Sequence, residues 1–216
     1  IIQKIESRKY SYVVTPNSDH IVNLSNDSKL KEIYEKSSII INDSRVISFL
    51  VKLKGKSLRT VTGSDLTKKI ILSEKFSDYV IAVIGPSSKE IEIVNNKYNV
   101  KLKHIDCCEV IIREENSWSD AIENVNQTEW DILLVCLSHP KQEMFSYDLR
   151  KKISNGIALN VGASIDFLTG KQKRAPRIYQ LTYTEWLYRL LANPKKMWKR
   201  YLINSPKIIT LILKEK

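Results

Sequence analysis

The chain has 216 residues, of which 43% are hydrophobic and 27% are charged, and this composition indicates a globular protein and excludes a disordered one. No run of about eighteen apolar residues occurs, and the first residues lack the pattern of a secretory signal, so the sequence predicts a cytoplasmic protein. The three cysteines, Cys107, Cys108 and Cys136, lack metal-ligand spacing and suit buried, reduced thiols.

Positive charge is concentrated in the C-terminal fifth of the chain. The formal net charge is +11, and residues 171–216 hold 12 Lys and Arg against 2 acidic residues, a net +10. Residues 1–170 hold 23 basic and 22 acidic residues, a net +1. A segment as basic as this favours anionic partners, which include substrate phosphates, lipid headgroups and nucleic acid.

Short apolar or β-branched runs predict strands, and amphipathic stretches between them predict helices. The predicted strands cover 10–15, 38–41, 80–84, 107–112, 132–137 and 157–161, and helices are predicted at 19–36, 89–98 and 119–128. Continuous apolar strands that alternate with helices favour parallel pairing, because each parallel crossover needs a helix. We therefore predict an α/β fold over residues 1–170, a Rossmann-like, mainly parallel sheet with helices on both faces.

After Gly170 the pattern changes to helices alone. Helices are predicted at 183–192 and again after Pro194, each with aromatic and apolar residues. The apolar segment 208–213 is too short to span a bilayer and long enough to enter its surface. The chain is thus divided into a catalytic domain, 1–170, and a basic helical C-terminal appendage, 171–216.

Polar residues follow most of the predicted strands, at the edge of a parallel sheet where ligands bind. These segments are 15–17, 42–45, 85–88, 138–143 and 162–164. Each one is also compatible with an ordinary turn or helix cap. Gly85 with Ser87 and Ser88 opens a predicted helix, whose first N–H groups would face a phosphate.

Several nucleotide-binding patterns are missing from the sequence. It contains neither GxGxxG nor GxxxxGK[ST], which weighs against a NAD-dependent enzyme and a P-loop NTPase. It also lacks an Asp-x-Asp pair that would hold a metal on a nucleotide diphosphate. We therefore expect no metal and no cofactor, with arginines neutralising any leaving diphosphate.

Five groups of motifs, in order, carry a family resemblance. They are Val-Thr-Pro-Asn at 14–17; Asn-Asp at 42–43 with Arg-Thr-Val-Thr-Gly-Ser-Asp-Leu at 59–66; Pro-Lys-Gln-Glu at 140–143; Val-Gly at 161–162 with Asp166, Phe167 and Gly170; and Arg-Ala-Pro at 174–176 with 185–189 and 199–201. In these motifs the chain resembles the WecG/TagA/CpsF family of glycosyltransferases over nearly its whole length.

The resemblance implies an inverting transfer from a UDP-sugar, of the N-acetylmannosamine type, glucose or a related hexose, to a polyprenyl-diphosphate-linked sugar. Such reactions build capsule, exopolysaccharide or wall polymers. It also implies a peripheral location, in which the appendage meets the anionic inner face of the plasma membrane and folds over the active site. A homo-oligomer is compatible with the family, and no nucleic-acid partner is expected.

The resemblance assigns roles to individual residues. Asp43 is the expected catalytic base, which takes the proton of the acceptor hydroxyl. The substrate-binding residues that the resemblance implies are Thr15, Asn17, Arg59 and Gln142, with Arg174, Arg189 and Arg200 for the diphosphate. Gly85 and Gly162 are added to this set as residues at strand exits. Asp65 is expected to cap a helix that begins near Leu66, and His139 and Asp166 are weak candidates.

Three alternatives stay open at this point. The acceptor could be a soluble or protein-linked glycan, and the basic end could instead belong to a nucleic-acid-binding module. The chain could also be an inactive or partner-dependent homologue, if its departures from the family pattern at Ser44 and at Cys107 and Cys108 have removed turnover. The departures at Ser44, at the turn 85–87 and in the segment 106–109 fall where the donor is expected to bind, so they leave the identity of the donor open.

Overall fold

The computed structural model describes residues 1–107, 118–173, 175–176, 178–179, 182, 184–198, 202 and 205–214. Six strands form one sheet in the order β2-β1-β6-β5-β3-β4, and every pairing is parallel. The strands are β1 (Ser11–Val14), β2 (Ile39–Ile40), β3 (Ile81–Ile84), β4 (Lys103–Ile105), β5 (Ile132–Val135) and β6 (Ile157–Asn160). The predicted parallel α/β fold is confirmed.

Helices connect the strands and continue beyond the last one. They are α1 (Ile2–Glu6), α2 (Ser18–Leu24), α3 (Ser28–Glu35), α4 (Arg45–Leu53), α5 (Gly63–Leu72), α6 (Ser88–Tyr98), α7 (Ser119–Gln127), α8 (Lys141–Leu149), α9 (Ser164–Thr169), α10 (Glu185–Ala192), α11 (Pro194–Trp198) and α12 (Ser205–Lys214). No described helix is both long and apolar enough to cross a membrane.

Alternate residues of the central strands pack into two hydrophobic cores. On β5, Leu133 and Val135 pack with residues of α3, α7 and α8, whereas Ile132 and Leu134 pack with residues of α1, α5, α6 and α9. Successive side chains of a strand point to opposite faces, so a strand buried on both faces must be apolar throughout. This is why the four buried strands were predicted within a residue or two at each end.

The amphipathic stretch 19–36 was predicted as one helix, and this prediction is wrong. The chain forms α2 and α3 with a break at Ser25, Asn26 and Asp27. The side chains of Ser25 and Asn26 both donate to the carbonyl oxygen of Val22, at 2.7 and 2.9 Å, and Asp27 accepts from the N–H of Leu30 at 2.9 Å. Short polar side chains that bond the local backbone end one helix and cap the next.

The edge strand β4 was not predicted. It is only three residues long, Lys103 is exposed and His104 is half-buried, so the strand lacks the apolar run by which the others were predicted. Residues 108–117 lie outside the described part of the chain, and most of the strand predicted at 107–112 falls among them. Cys107 is described and is not in a strand.

The helix α12 packs on the main body of the protein. Ile208 is fully buried between Val22 of α2 and Ile47 and Leu50 of α4. The ammonium group of Lys54 donates to the carbonyl oxygen of Ile212 at 2.9 Å. The segment 208–213, predicted as a short apolar piece that enters a membrane surface, therefore lies within a longer helix whose apolar face contacts protein.

Candidate active site

The carboxyl ends of neighbouring strands bring the predicted residues of the N-terminal half together. Thr15, which follows β1, is buried, and its hydroxyl donates to the carbonyl oxygen of Asn160 at the end of β6, at 2.7 Å. Asn17 is half-buried, and its side-chain oxygen accepts from the N–H groups of Asp19 (3.0 Å) and His20 (3.4 Å). Asn17 therefore serves as the N-cap of α2, and Thr15 joins β1 to β6.

Asp43 lies next to this turn, just beyond the end of β2. Its backbone N–H donates to the carbonyl oxygen of Pro16 at 2.9 Å, and its side chain is half-buried. The next residue, Ser44, is buried and caps α4 by accepting from the N–H of Ile47 at 3.2 Å. The predicted base thus stands at the carboxyl edge of the sheet, beside the turn that carries Asn17.

Asn42 holds the segment around Arg59 against the same edge. Its side-chain amide donates to Ser48 Oγ at 2.8 Å and to the carbonyl oxygen of Arg59 at 3.3 Å. The backbone carbonyl oxygen of Asn42 accepts from the N–H of Val61 at 3.0 Å. The backbone of Arg59 is therefore fixed near Asp43, while its side chain is exposed.

The helix α5 begins earlier than predicted. It starts at Gly63 with Thr62 as N-cap, and Thr62 Oγ1 accepts from the N–H of Asp65 at 3.1 Å. The prediction that Asp65 caps a helix beginning near Leu66 is wrong, because the Thr62 hydroxyl already fills that role. A Cβ on Gly63 would lie 3.2 Å from the carbonyl oxygen of Val161, so glycine lets α5 approach the end of β6.

Gly85 ends β3 in close contact with the end of β5. Its φ is +115°, and a Cβ there would lie 2.6 Å from the carbonyl oxygen of Cys136. Ser87 then caps α6 in a capping box, in which the Glu90 carboxylate accepts from the Ser87 N–H at 2.8 Å. The predicted helix opening is present, and this helix start already holds a carboxylate of the chain.

Gln142 and Gly162 lie side by side, at the exits of β5 and β6. Gln142 is 3% exposed, and its side-chain oxygen accepts from the N–H of Gly162 at 2.9 Å. Its amide nitrogen donates to the carboxylate of Glu143, also at 2.9 Å. Gly162 has a φ of +53°, which glycine adopts readily. The Gln142 side chain therefore bridges two neighbouring strand exits.

A buried cluster of two histidines and a glutamate adjoins this bridge. The rings of His20 and His139 stack with centroids 3.7 Å apart and planes 12° apart. Glu143 is fully buried, and its Oε2 lies 3.2 Å from Nδ1 of His139. The sequence did not predict this cluster; its only local signal is the spacing of four residues between His139 and Glu143, which places them on one side of a helix start.

The same three residues offer ligand atoms within 4.8 Å of one another, which raises the question of a metal. Imidazole nitrogens bind metals in the plane of the ring, and these two rings are nearly parallel and stacked. Their lone pairs therefore do not converge on one point. His20 Nδ1 also lies 3.0 Å from the hydroxyl of Tyr34, so the arrangement fits a hydrogen-bond network better than a metal centre.

The charge of Glu143 follows from its neighbours. Burial acts to raise its pKa and is the largest single influence, but the hydrogen bond from His139 and the nearby imidazoles outweigh it, so its pKa lies below the ordinary value. Burial and the adjacent carboxylate raise the pKa of Tyr34, which keeps its hydroxyl protonated. The cluster thus holds a buried carboxylate surrounded by donors.

Three of the four predicted substrate-binding arginines cannot be placed in the site. Arg174 and Arg200 lie outside the described residues. Arg189 belongs to α10, and its side chain also lies outside the described part of the structure. The predicted site residues whose side chains or backbone the structure describes are Thr15, Asn17, Asp43, Arg59, Gly85, Gln142 and Gly162, and all of them lie at the carboxyl edge of the sheet.

Comparison with known proteins gives two findings. The model of the family described as "Glycosyl transferase WecG/TagA/CpsF family" matches residues 1–216. A relative from Bacillus spizizenii (strain ATCC 23059 / NRRL B-14472 / W23) is 23% identical over 211 residues, which cover 97% of this chain and 81% of the relative. That protein is named N-acetylglucosaminyldiphosphoundecaprenol N-acetyl-beta-D-mannosaminyltransferase.

Proposed function

Because the chain belongs to the WecG/TagA/CpsF family of glycosyltransferases, we propose that it transfers a sugar from a UDP-sugar to a polyprenyl-diphosphate-linked sugar. The Bacillus relative is named for transfer of N-acetylmannosamine to a lipid-linked N-acetylglucosamine. N-acetylmannosamine is therefore the first donor sugar to test, with glucose and related hexoses after it. The product would be a precursor of a capsule, exopolysaccharide or wall polymer.

The observation that carries this proposal is the position of Asp43. Its backbone is bonded to Pro16 at the end of β1, so its half-buried carboxylate belongs to the edge of the sheet where ligands bind. A hydroxyl of the acceptor sugar is a weak nucleophile until a base within hydrogen-bond distance removes its proton. Asp43 is the carboxylate that both the family motif and the geometry offer for this task.

The proposed step is a single displacement with inversion. The acceptor oxygen forms a bond to the anomeric carbon as the bond from that carbon to the UDP oxygen breaks, and the acceptor proton passes to Asp43. Negative charge develops on the departing diphosphate, and guanidinium groups stabilise such charge through paired hydrogen bonds. Arg59 is exposed beside Asp43 and suits this role, as do Arg174, Arg189 and Arg200 by their motif positions.

The proposed location is the inner face of the plasma membrane. Residues 171–216 carry a net charge of +10, since they hold 12 basic and 2 acidic residues. Lysine and arginine near a membrane surface are attracted to anionic lipids. This charge favours a lipid-linked acceptor over a soluble one.

The test is transfer from a panel of UDP-sugars to a short-chain polyprenyl-diphosphate-N-acetylglucosamine, compared with a soluble glycan acceptor. Wild type, Asp43→Asn and the control Asp78→Asn are assayed with and without EDTA. Asp78 is exposed and precedes β3, at the opposite edge of the sheet. We expect transfer to the lipid-linked acceptor in EDTA, a loss of about a hundredfold or more in Asp43→Asn, and no loss in Asp78→Asn.

Each other result contradicts one part of the proposal. Full activity of Asp43→Asn would exclude it as the base while leaving the family assignment intact. Loss of transfer in EDTA would overturn the metal-independent mechanism. Transfer to the soluble glycan and not to the lipid-linked sugar would show that the acceptor is a soluble glycan.

A further inference from the structure

Glu143 is the common acceptor of a network that joins three helices. Its Oε1 accepts from Gln142 Nε2 at 2.9 Å and from the Tyr34 hydroxyl of α3 at 3.1 Å. Its Oε2 faces Nδ1 of His139 at 3.2 Å, and Nδ1 of His20 on α2 lies 3.7 Å from Oε1. An unpartnered carboxylate with no solvent exposure would be strongly destabilising, so these donors are required.

The donors and acceptors permit a consistent assignment of the protons. An ionised carboxylate only accepts, so His139 carries its proton on Nδ1, and its Nε2 accepts from the side-chain amide of Asn23 at 3.1 Å. Tyr34 has one proton, which it donates to Glu143, so its oxygen accepts from Nδ1 of His20 at 3.0 Å. Every donor chain in this network ends on Glu143.

The same logic fixes the orientation of Gln142. Glu143 can only accept, so it faces the amide nitrogen of Gln142, and the Gly162 N–H can only donate, so it faces the oxygen. Rotation of this carboxamide by half a turn would place two acceptors together at one end and two donors together at the other. The carboxylate therefore determines which end of Gln142 meets Gly162.

We propose that Glu143 is a positioning residue of the candidate active site: its buried carboxylate orients the Gln142 side chain onto the Gly162 N–H and so fixes the exits of β5 and β6. This inference rests on the proposed function, in which that edge of the sheet binds the sugar nucleotide. Glu143 acts through Gln142 and does not itself contact a substrate. The stacked histidines and Tyr34 keep the carboxylate ionised and in place.

The first test measures structure without activity. Hydrogen exchange of the Gly162 amide is followed by NMR in wild type, Glu143→Gln and the control Glu129→Gln, whose carboxylate side chain is 84% exposed. In Glu143→Gln an amide NH2 group, which donates, replaces one of the carboxylate oxygens that accept hydrogen bonds from the neighbouring side chains. We therefore expect exchange of the Gly162 amide to accelerate about tenfold or more. Unchanged exchange at Gly162 would overturn the proposal, whether or not the protein transfers sugar.

The second test is a double-mutant cycle on transfer. We expect Glu143→Gln to lower kcat/KM about tenfold or more, since small misplacements in an active site are costly, and to have little further effect in Gln142→Ala. If the two substitutions lower kcat/KM by independent factors that multiply in the double variant, Glu143 does not act through Gln142. That result would overturn the proposal. If wild type transfers no sugar from any donor, the proposed function is refuted. The hydrogen-exchange test then decides by itself whether Glu143 positions Gln142.

A second pair of variants covers the case in which Glu143→Gln does not fold. His139→Ala removes the donor to Oε2, whereas His139→Asn places an amide N–H near the position of Nδ1. We expect faster Gly162 exchange in His139→Ala and recovery towards wild type in His139→Asn. Equal exchange rates in the two variants would contradict the proposed role of the carboxylate.

Discussion

The hydroxyl oxygens of Ser18 and Ser44 lie 3.0 Å apart in a buried contact between the first turn of α2 and the N-cap of α4. Ser44 directly follows Asp43, and Ser18 directly follows Asn17. The contact therefore ties together the two turns that carry the predicted base and a predicted pocket residue.

Ser44→Ala should destabilise the protein by about 1–3 kcal/mol. The substitution removes the cap on the N–H of Ile47 and leaves the buried Ser18 hydroxyl without this partner. Urea denaturation measures the change. Ser73→Ala is the matched control, because Ser73 is an N-cap residue whose side chain makes no capping hydrogen bond, and its effect should stay within about 0.5 kcal/mol. Equal losses in the two variants would show that the Ser44 contacts contribute nothing.

Gly85→Ala should cost about 3 kcal/mol or more, and Gly55→Ala only about 1 kcal/mol. Both glycines have positive φ, +115° and +74°, but only a Cβ on Gly85 meets backbone, at 2.6 Å from the carbonyl oxygen of Cys136, whereas Gly55 has open space. Thermal and urea unfolding of the two variants separate the cost of the backbone conformation from the cost of the clash. A similar loss at both sites would mean that the ends of β3 and β5 can move apart freely.

Most of the sheet could be predicted from the sequence because burial on both faces requires unbroken apolar strands. The edge strand β4 could not, since its Lys103 is exposed and an edge needs no apolar run. The break between α2 and α3 was missed because it depends on local side-chain bonds to Val22, which hydrophobic periodicity does not report.

The positions of the candidate site residues were predictable where they depend on topology alone. Parallel strands place all their carboxyl ends at one edge, so Thr15, Asp43 and Gln142 were expected there and are found there. The contact of His20 with Glu143 joins segments far apart in the sequence, and no local spacing predicts it. It depends on how α2 packs beside α8, which only the assembled structure defines.

Ile208→Ala should detach α12 from the body, whereas Ile209→Ala should not. Ile208 is fully buried against α2 and α4, and its neighbour on the same helix is 45% exposed. Truncation of a buried isoleucine typically costs about 2–5 kcal/mol, and truncation of an exposed one has little effect. Limited proteolysis measures local opening of α12, and we expect faster cleavage near residues 205–214 in Ile208→Ala alone. Equal cleavage rates would show that this helix does not depend on the apolar contact.

The pH dependence of stability should reveal the charge of Glu143. Its pKa in the folded protein lies below the ordinary glutamate value of about 4.3, so its ionisation favours the folded state. That contribution is fully present above the pKa of the unfolded chain and is lost as the pH falls through the lower pKa of the folded protein. Urea denaturation between about pH 3 and pH 6 should therefore show a smaller acid loss of stability in Glu143→Gln than in wild type. Glu129→Gln should follow the wild-type curve, because that carboxylate is exposed. An acid loss in Glu143→Gln as steep as in wild type would mean that the pKa of Glu143 does not change on folding, and a steeper loss in Glu143→Gln would mean that Glu143 is protonated when folded. Either result would contradict the donor network drawn around its carboxylate.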